Sequence, residues 1–237
     1  MALATRSAEP DLLSASLVLG LGLVIGAGYG AHQSHLLELV VPVFAVVVGW
    51  LLFQRSTPGY LSFVIWLWAL APLLRRVVEL QLNTFNDQNP ILLTPYLVTA
   101  IAGVALLRQP GVTRDRRTRP FVLALGCVGV GAAVGVLKVG IVGAAFGALE
   151  WSTPIALGGY VAMQWRDLEP MWHAVWRQAV YAILLTGAYG IYQFFAILPW
   201  DVHWMQNAPI NSIGQPKPYE VRVFSTLNSP GALSMVT

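Results

Sequence analysis

Long apolar runs separated by short polar joints dominate the chain. The first, Leu12–Gly30, carries no charge; residues 36–53 form a second with Glu38 near its edge. Residues 60–74 form a short third run containing Pro72, and residues 91–107 a fourth. Residues 121–163 are one apolar stretch broken only by Lys138 and Glu150. A bilayer core takes about 20 apolar residues per helix, so this stretch is too long for one crossing. It reads as two spans, 121–137 and 150–163, joined by Gly-rich sequence around 140–147, with Pro154 interrupting the second. Residues 179–198 give a seventh span, and residues 230–237 open an eighth helix. Arg6 precedes the first run as in a signal peptide, but the run is too long and a second span follows almost at once. Backbone polar groups find no water in lipid, so helices are the spanning element. The expected fold is all-α: a polytopic transmembrane helix bundle of about seven spans plus the start of an eighth. It forms one membrane-embedded domain over residues 1–237, with an outer-face polar loop at 199–228.

Composition narrows the function classes. Hydrophobic residues make up 56% and charged residues 11%, against about 25% charged in an ordinary soluble domain. With a mean hydropathy of +0.63, the chain lacks the polar side chains to cover a water-soluble surface. This excludes an ordinary cytosolic enzyme, a disordered tail and a nucleic-acid-binding module. The net charge of +3 comes from arginines beside apolar runs, with no basic stretch interleaved with aromatics on a polar face. Cys127, the single cysteine, lies inside an apolar run and has no partner for an internal disulfide.

Orientation follows from Lys and Arg in short loops. With the N-terminus inside, nine cations fall inside and five outside, and the loop 108–119 alone holds five of the nine. The chain is therefore expected with its N-terminus on the inner, cytoplasmic side. Residues 165–177, WRDLEPMWHAVWR, place Trp165, Leu168, Trp172, Val175 and Trp176 at helical spacing, as in an interfacial helix with an aromatic belt.

Candidate chemistry gathers in the outer half. Arg75 and Arg76 follow the third run, and Val77 and Val78 continue it. A helix reaching Leu80 places the pair in the outer headgroup layer, either snorkelling to lipid phosphate or binding an anionic substrate group. The polar segment 199–228 contains Trp200, Trp204, Tyr219 and Phe224, which argue against disorder. Its amides and aromatics suit a sugar-binding surface and a membrane interface equally. His32, His35 and Glu38 recur every three residues, but a structural zinc needs four ligands, and no metal is expected. Asp201 and His203 approach Ser225 in sequence only, and no G-x-S-x-G elbow, Walker A motif or G-x-G-x-x-G occurs. Gly20, Gly22, Gly26, Gly28 and Gly30 read as close helix packing. Lys138 and Glu150 either pair across the fifth and sixth spans or mark helix ends.

Three segments carry a resemblance: IWLWALAPLLRRVVE at 65–79, YGIYQFF at 189–195 and VRVFSTLNSPG at 221–231. Together they resemble the O-antigen ligase and O-antigen polymerase family, whose motif, Arg-x-Phe-(Gly/Ser)-Thr-Phe-x-x-Pro, lies where the chain re-enters the membrane. Here it reads Arg222-Val223-Phe224-Ser225-Thr226-Leu227-Asn228-Ser229-Pro230. The resemblance implies glycosyl transfer on the outer face of the bacterial inner membrane, without metal or cofactor. The donor is a glycan on undecaprenyl pyrophosphate, and the acceptor another lipid-linked glycan or lipid A core. By motif match it gives Arg222 a catalytic role on the pyrophosphate; Arg75, Arg76 and Lys217, outside the motif, fall on the outer side as further cations for pyrophosphate or glycan. Membrane lipid and the lipid-linked glycan are the implied partners; nucleic acid is not. Family members have ten or more spans and a later periplasmic loop with a histidine, so the chain to Thr237 is expected to be the N-terminal portion of such an architecture. His203 precedes the motif and is not that histidine.

The chemistry agrees. A departing sugar pyrophosphate gains negative charge, which fixed cations at a partly dehydrated interface stabilise without reorganisation. Arginine suits this better than lysine, because its planar fork holds two phosphate oxygens at once. A transporter or channel is the alternative, but it calls for ionisable or broken-helix positions at mid-span, where this chain has mostly Val, Leu, Ala and Gly. A non-catalytic membrane remnant is the third reading.

Overall fold

The computed structural model describes residues 12–86, 88–108, 112, 114–208 and 213–236; Arg6, counted above toward orientation, lies outside them. The helices are α1 (Leu12–Gly30), α2 (Ser34–Arg55), α3 (Thr57–Leu82), α4 (Thr94–Arg108), α5 (Arg119–Met163), α6 (Leu168–Phe195), α7 (Pro199–Asn207) and α8 (Pro230–Val236). Among the described residues no strand forms, and one isolated antiparallel bridge joins Gly214 to Val221. The all-α expectation therefore holds. The span count differs from the seven expected. Four helices are long and apolar enough to cross a membrane, or five if the bent pair Met171–Phe195 and Pro199–Asn207 is one span. The difference has two sources: Val18–Gly30 in α1 is a shorter apolar helix, and the stretch 121–163 lies within one continuous assignment, α5.

The chain divides into two compact units, one holding residues 1–95 with 173–237 and the other residues 96–172. In the second, α5 is not one rod. Its 45 residues would extend about 68 Å at 1.5 Å per residue, twice the hydrocarbon thickness. Gly140 has φ 79° and ψ 173°, a conformation open essentially to glycine alone. Beyond it the chain doubles back. A Cβ on Gly135 would lie 3.4 Å from the Cβ of Ala144, and one on Gly158 2.8 Å from the Phe121 ring. Residues so far apart in sequence meet only if arms 119–139 and 141–163 run antiparallel. Small residues permit this close approach. The reversal thus falls at one residue, and the second arm begins earlier than the expected 150–163. Lys138 and Glu150 are both exposed, and no ion pair joins them.

In the first unit, Ser56 both ends α2 and caps α3, its Oγ accepting from the Gly59 N–H at 3.1 Å. Helix α3 runs past the expected 60–74 to Leu82 and ends on Asn83 in the left-handed conformation, φ 51°. The apolar cluster of Leu37, Val41, Ala71, Val78 and Ile91 joins α2, α3 and the 3-10 turn Pro90–Leu93. Of the helix expected at 165–177, residues 168–177 are helical as the first part of α6, and Trp165–Asp167 before them form a 3-10 turn. Helix α6 stops at Phe195, and α7 departs at 79°. Pro199 explains the restart: it has no N–H to continue α6 but fits the first turn of a new helix. The segment expected as a loop at 199–228 therefore begins with a helix, and α7 packs on α3.

Beside the apolar core, many large apolar side chains face outward and several charged ones face inward. Leu137, Ile141 and Val142 are each more than 70% exposed, whereas Arg76, Glu79 and Asp201 are fully buried. Lipid, which makes no hydrogen bonds, favours this arrangement.

Candidate functional site: a buried arginine network beneath an exposed basic hairpin

The site is built on polar residues at helical spacing. Thr186, Tyr189, Gly190 and Gln193 lie on one face of α6, and Pro72, Arg76 and Glu79 recur along α3. Arg76 is the centre, with no exposed surface. Its Nη1 donates to Asp201 Oδ1 at 2.5 Å and its Nη2 to the Ser225 carbonyl at 2.6 Å. The guanidinium also lies 4.9 Å from the Phe224 ring centre and 5.8 Å from that of Trp204.

Asp201, at the start of α7, is equally buried. Its Oδ2 accepts from the Tyr189 hydroxyl at 2.8 Å and from Gln193 Nε2 at 2.7 Å. Trp200 Nε1 in turn donates to the Tyr189 oxygen at 2.7 Å. Gln193 Oε1 accepts two backbone N–H groups, from Phe224 at 3.0 Å and Ser225 at 2.9 Å. These partners fix which way the amide points, since only its nitrogen can donate to the carboxylate.

Ser225 is where the network converges. Its φ of 54° is unusual for a residue with a side chain, a conformation worth roughly 1–3 kcal/mol of strain. The strain is held by full engagement: its N–H goes to Gln193, its carbonyl receives Arg76, and its hydroxyl donates to the Thr186 carbonyl. Gly190 permits the approach, since a Cβ there would lie 2.9 Å from Val223 Cγ1.

Arg75 anchors a second cluster. Its Nε donates to Glu79 Oε1 at 2.7 Å and its Nη2 to the Asn86 carbonyl at 2.8 Å. Asn89 Nδ2 donates to Glu38 Oε1 at 2.9 Å and, at 3.3 Å, to Glu79 Oε1. This cluster ties the connection after α3 to α2.

The expected site residues thus fall into two groups. Arg75 and Arg76 are 4% and 0% exposed, so neither snorkels into headgroups, and protein acceptors already occupy both. Arg222 and Lys217 are exposed and share a tight hairpin, in which the Arg222 N–H donates to the Ile213 carbonyl at 2.9 Å. A Cβ on Gly214 would lie 2.3 Å from the Glu220 carbonyl, so the hairpin requires glycine there. Tyr219 docks the hairpin on the end of α6: its N–H donates to the Phe194 carbonyl, and its ring packs edge-on against Phe194 and Phe195.

Sequence reasoning set aside Asp201 with Ser225 as neighbours in sequence only. The structure joins them through Arg76, a residue 125 positions from Asp201. Gln193 and Tyr189 lie in the segment 189–195 that carries the resemblance, and their helical spacing with Thr186 on an apolar helix is the sequence signal that marks them. The expected helix packing of the α1 glycines is met at Gly28 alone, where a Cβ would reach Leu37 at 2.6 Å. His32 Nδ1 meets Gln81 Nε2 at 2.8 Å, Glu38 is taken by Asn89, and among the described residues no three metal-ligating side chains converge.

Comparison of the chain with models of protein families, with curated proteins and with solved structures finds no match.

Proposed function

We propose that the chain forms a membrane scaffold for glycosyl transfer from an undecaprenyl-pyrophosphate-linked glycan at the outer face of a bacterial inner membrane, as an O-antigen ligase or polymerase does. One observation carries the reading. The three segments that bear the resemblance, far apart in sequence, contribute Arg76, then Tyr189 and Gln193, then Phe224 and Ser225 to one buried network. A motif whose backbone is clamped so thoroughly is suited to presenting a neighbouring side chain in fixed geometry, and that neighbour is Arg222.

In this proposal the chain crosses seven times with its N-terminus inside. Helices α1 to α4, the two arms of α5, and α6 are the crossings; α7 and the hairpin lie outside. The exposed arginines Arg108, Arg114, Arg116, Arg117 and Arg119 then face the cytoplasm. Arg222 and Lys217 receive the pyrophosphate, where a fork of two charge-assisted hydrogen bonds stabilises the charge that grows as the glycosidic bond breaks. Arg76, Asp201 and Gln193 position that segment, and Arg75 holds the connection after α3.

The test uses the whole reading frame, expressed in cells deleted for their own ligase or polymerase. Their membranes should transfer glycan from the lipid pyrophosphate to an acceptor, equally well in the presence of a metal chelator. Membranes that hold the folded protein and transfer nothing would remove the proposal. A transporter is favoured by a separate observation, the 79° break between α6 and α7 beside a buried ion pair. Uptake of a solute by vesicles lacking any transfer activity would decide for it.

A further inference from the structure

We infer that a groove between α1, α3 and α6 binds one anionic phospholipid, one of its two acyl chains against α1 and α3 and its phosphate at Arg177. This rests on the chain being membrane-embedded and not on glycan transfer. The groove is a cavity of about 560 Å³ within the first unit. An apolar cavity of about 150 Å³ holds one benzene and stays dry, so this volume takes roughly four such groups, the bulk of one long acyl chain with its glycerol. Along α3 the lining runs from Pro58 to Leu74, about 24 Å at 1.5 Å per residue. Helix α1 supplies the opposite wall, where Gly22 has nothing within 4 Å of an added Cβ. Gly22 thus leaves the groove open where a larger side chain would fill it.

Charge decides the class of lipid. Arg177 is the one charged residue of the lining, it is exposed, and among the described residues it forms no ion pair. Beside it, Gln178 Oε1 accepts from Trp66 Nε1 at 3.1 Å, which leaves the amide nitrogen as a donor. Two adjacent donors above an apolar slot, with no carboxylate in the lining, fit a phosphate bearing net negative charge. A zwitterionic headgroup brings its own cation toward Arg177.

The experiment is native mass spectrometry of the purified full chain with phosphatidylglycerol, phosphatidylcholine or diacylglycerol of identical chains. The wild type should hold phosphatidylglycerol roughly fivefold more tightly than phosphatidylcholine, the factor expected for one basic residue near a lipid surface. Arg177→Gln should erase that preference while still binding a lipid. Gly22→Leu should fill the groove and lose all three lipids with its helical circular dichroism intact. Should Gly22→Leu lose that signal, Ala174→Leu makes the same test from the α6 wall. Equal binding of the two phospholipids by the wild type, or undiminished binding by a folded groove-filled variant, would overturn the inference.

Discussion

Removing the charge from Asp201 alone should unfold more than the site. The Arg76–Asp201 pair is separated by 2.5 Å, and both side chains are fully buried. Asp201→Asn keeps the shape and leaves a buried guanidinium without a counter-charge. Breaking such a pair from one side costs about 3–5 kcal/mol. For a chain of this size that corresponds to a fall in melting temperature of about 6–20 °C. Arg76→Gln should cost a similar amount, because it strands the carboxylate and releases the Ser225 carbonyl. The double variant Arg76→Gln/Asp201→Asn removes both charges and retains polar partners for Tyr189 and Gln193. It should recover more than about 2 kcal/mol relative to the sum of the singles, the sign of a coupled pair. The assay is thermal unfolding of the purified variants in one detergent, scanned at one rate. Singles within about 0.5 kcal/mol of wild type, as for an unremarkable surface site, or a double equal to the sum of the singles, would refute the buried-pair reasoning.

Three further outcomes follow from separate parts of the fold. Thr94 is fully buried and among the described residues its Oγ1 has no hydrogen-bond partner, so Thr94→Val should leave stability unchanged or raise it, by up to about 1–3 kcal/mol; a loss of that size in thermal unfolding would mean the hydroxyl is satisfied. Gly140→Ala should cost about 1–3 kcal/mol at φ 79°, while Gly126→Ala, helical and with open space around it, should gain up to about 1 kcal/mol; equal effects would remove the hairpin reversal. Fusions to a reporter that fluoresces only in the cytoplasm should be bright after Arg114 and dark after Gln206, and brightness at both would break the proposed seven crossings.

The helices were legible because uncharged apolar runs have few other solutions. Their ends were less so. Arg75, Arg76 and Glu79 look like the polar end of a run that stops at Leu74, yet α3 continues to Leu82. Burying those charges depends on partners such as Asp201 and Ser225, which no local pattern reveals. In the stretch 121–163 the Gly-rich region was visible, but many of its glycines are helical, and only Gly140 has the positive φ that reverses the chain. The α1 glycines show the opposite error: the spacing of a packing motif occurs where, except at Gly28, none of the described residues comes within 4 Å of an added Cβ. For the site, Arg222 was marked by the motif that carries the resemblance and Lys217 by its charge in the polar segment. The clamp beneath it was not, because Gln193 acts on backbone N–H groups more than 30 residues away.

Glycan transfer in proteoliposomes, with an undecaprenyl-pyrophosphate-linked donor and matched amounts of the product of the whole reading frame as wild type, Arg222→Lys and Arg222→Ala, tests the central claim most directly. Arg222 is exposed and outside the buried network, so both variants should keep the wild-type melting temperature. Loss of one preorganised donor on the leaving pyrophosphate should lower the rate of Arg222→Ala by about 10²–10³. Arg222→Lys should remain badly impaired, because it keeps the charge and loses the fork. Near-normal transfer by Arg222→Ala would take Arg222 out of the site, and near-normal transfer by Arg222→Lys alone would reduce it to a simple positive charge.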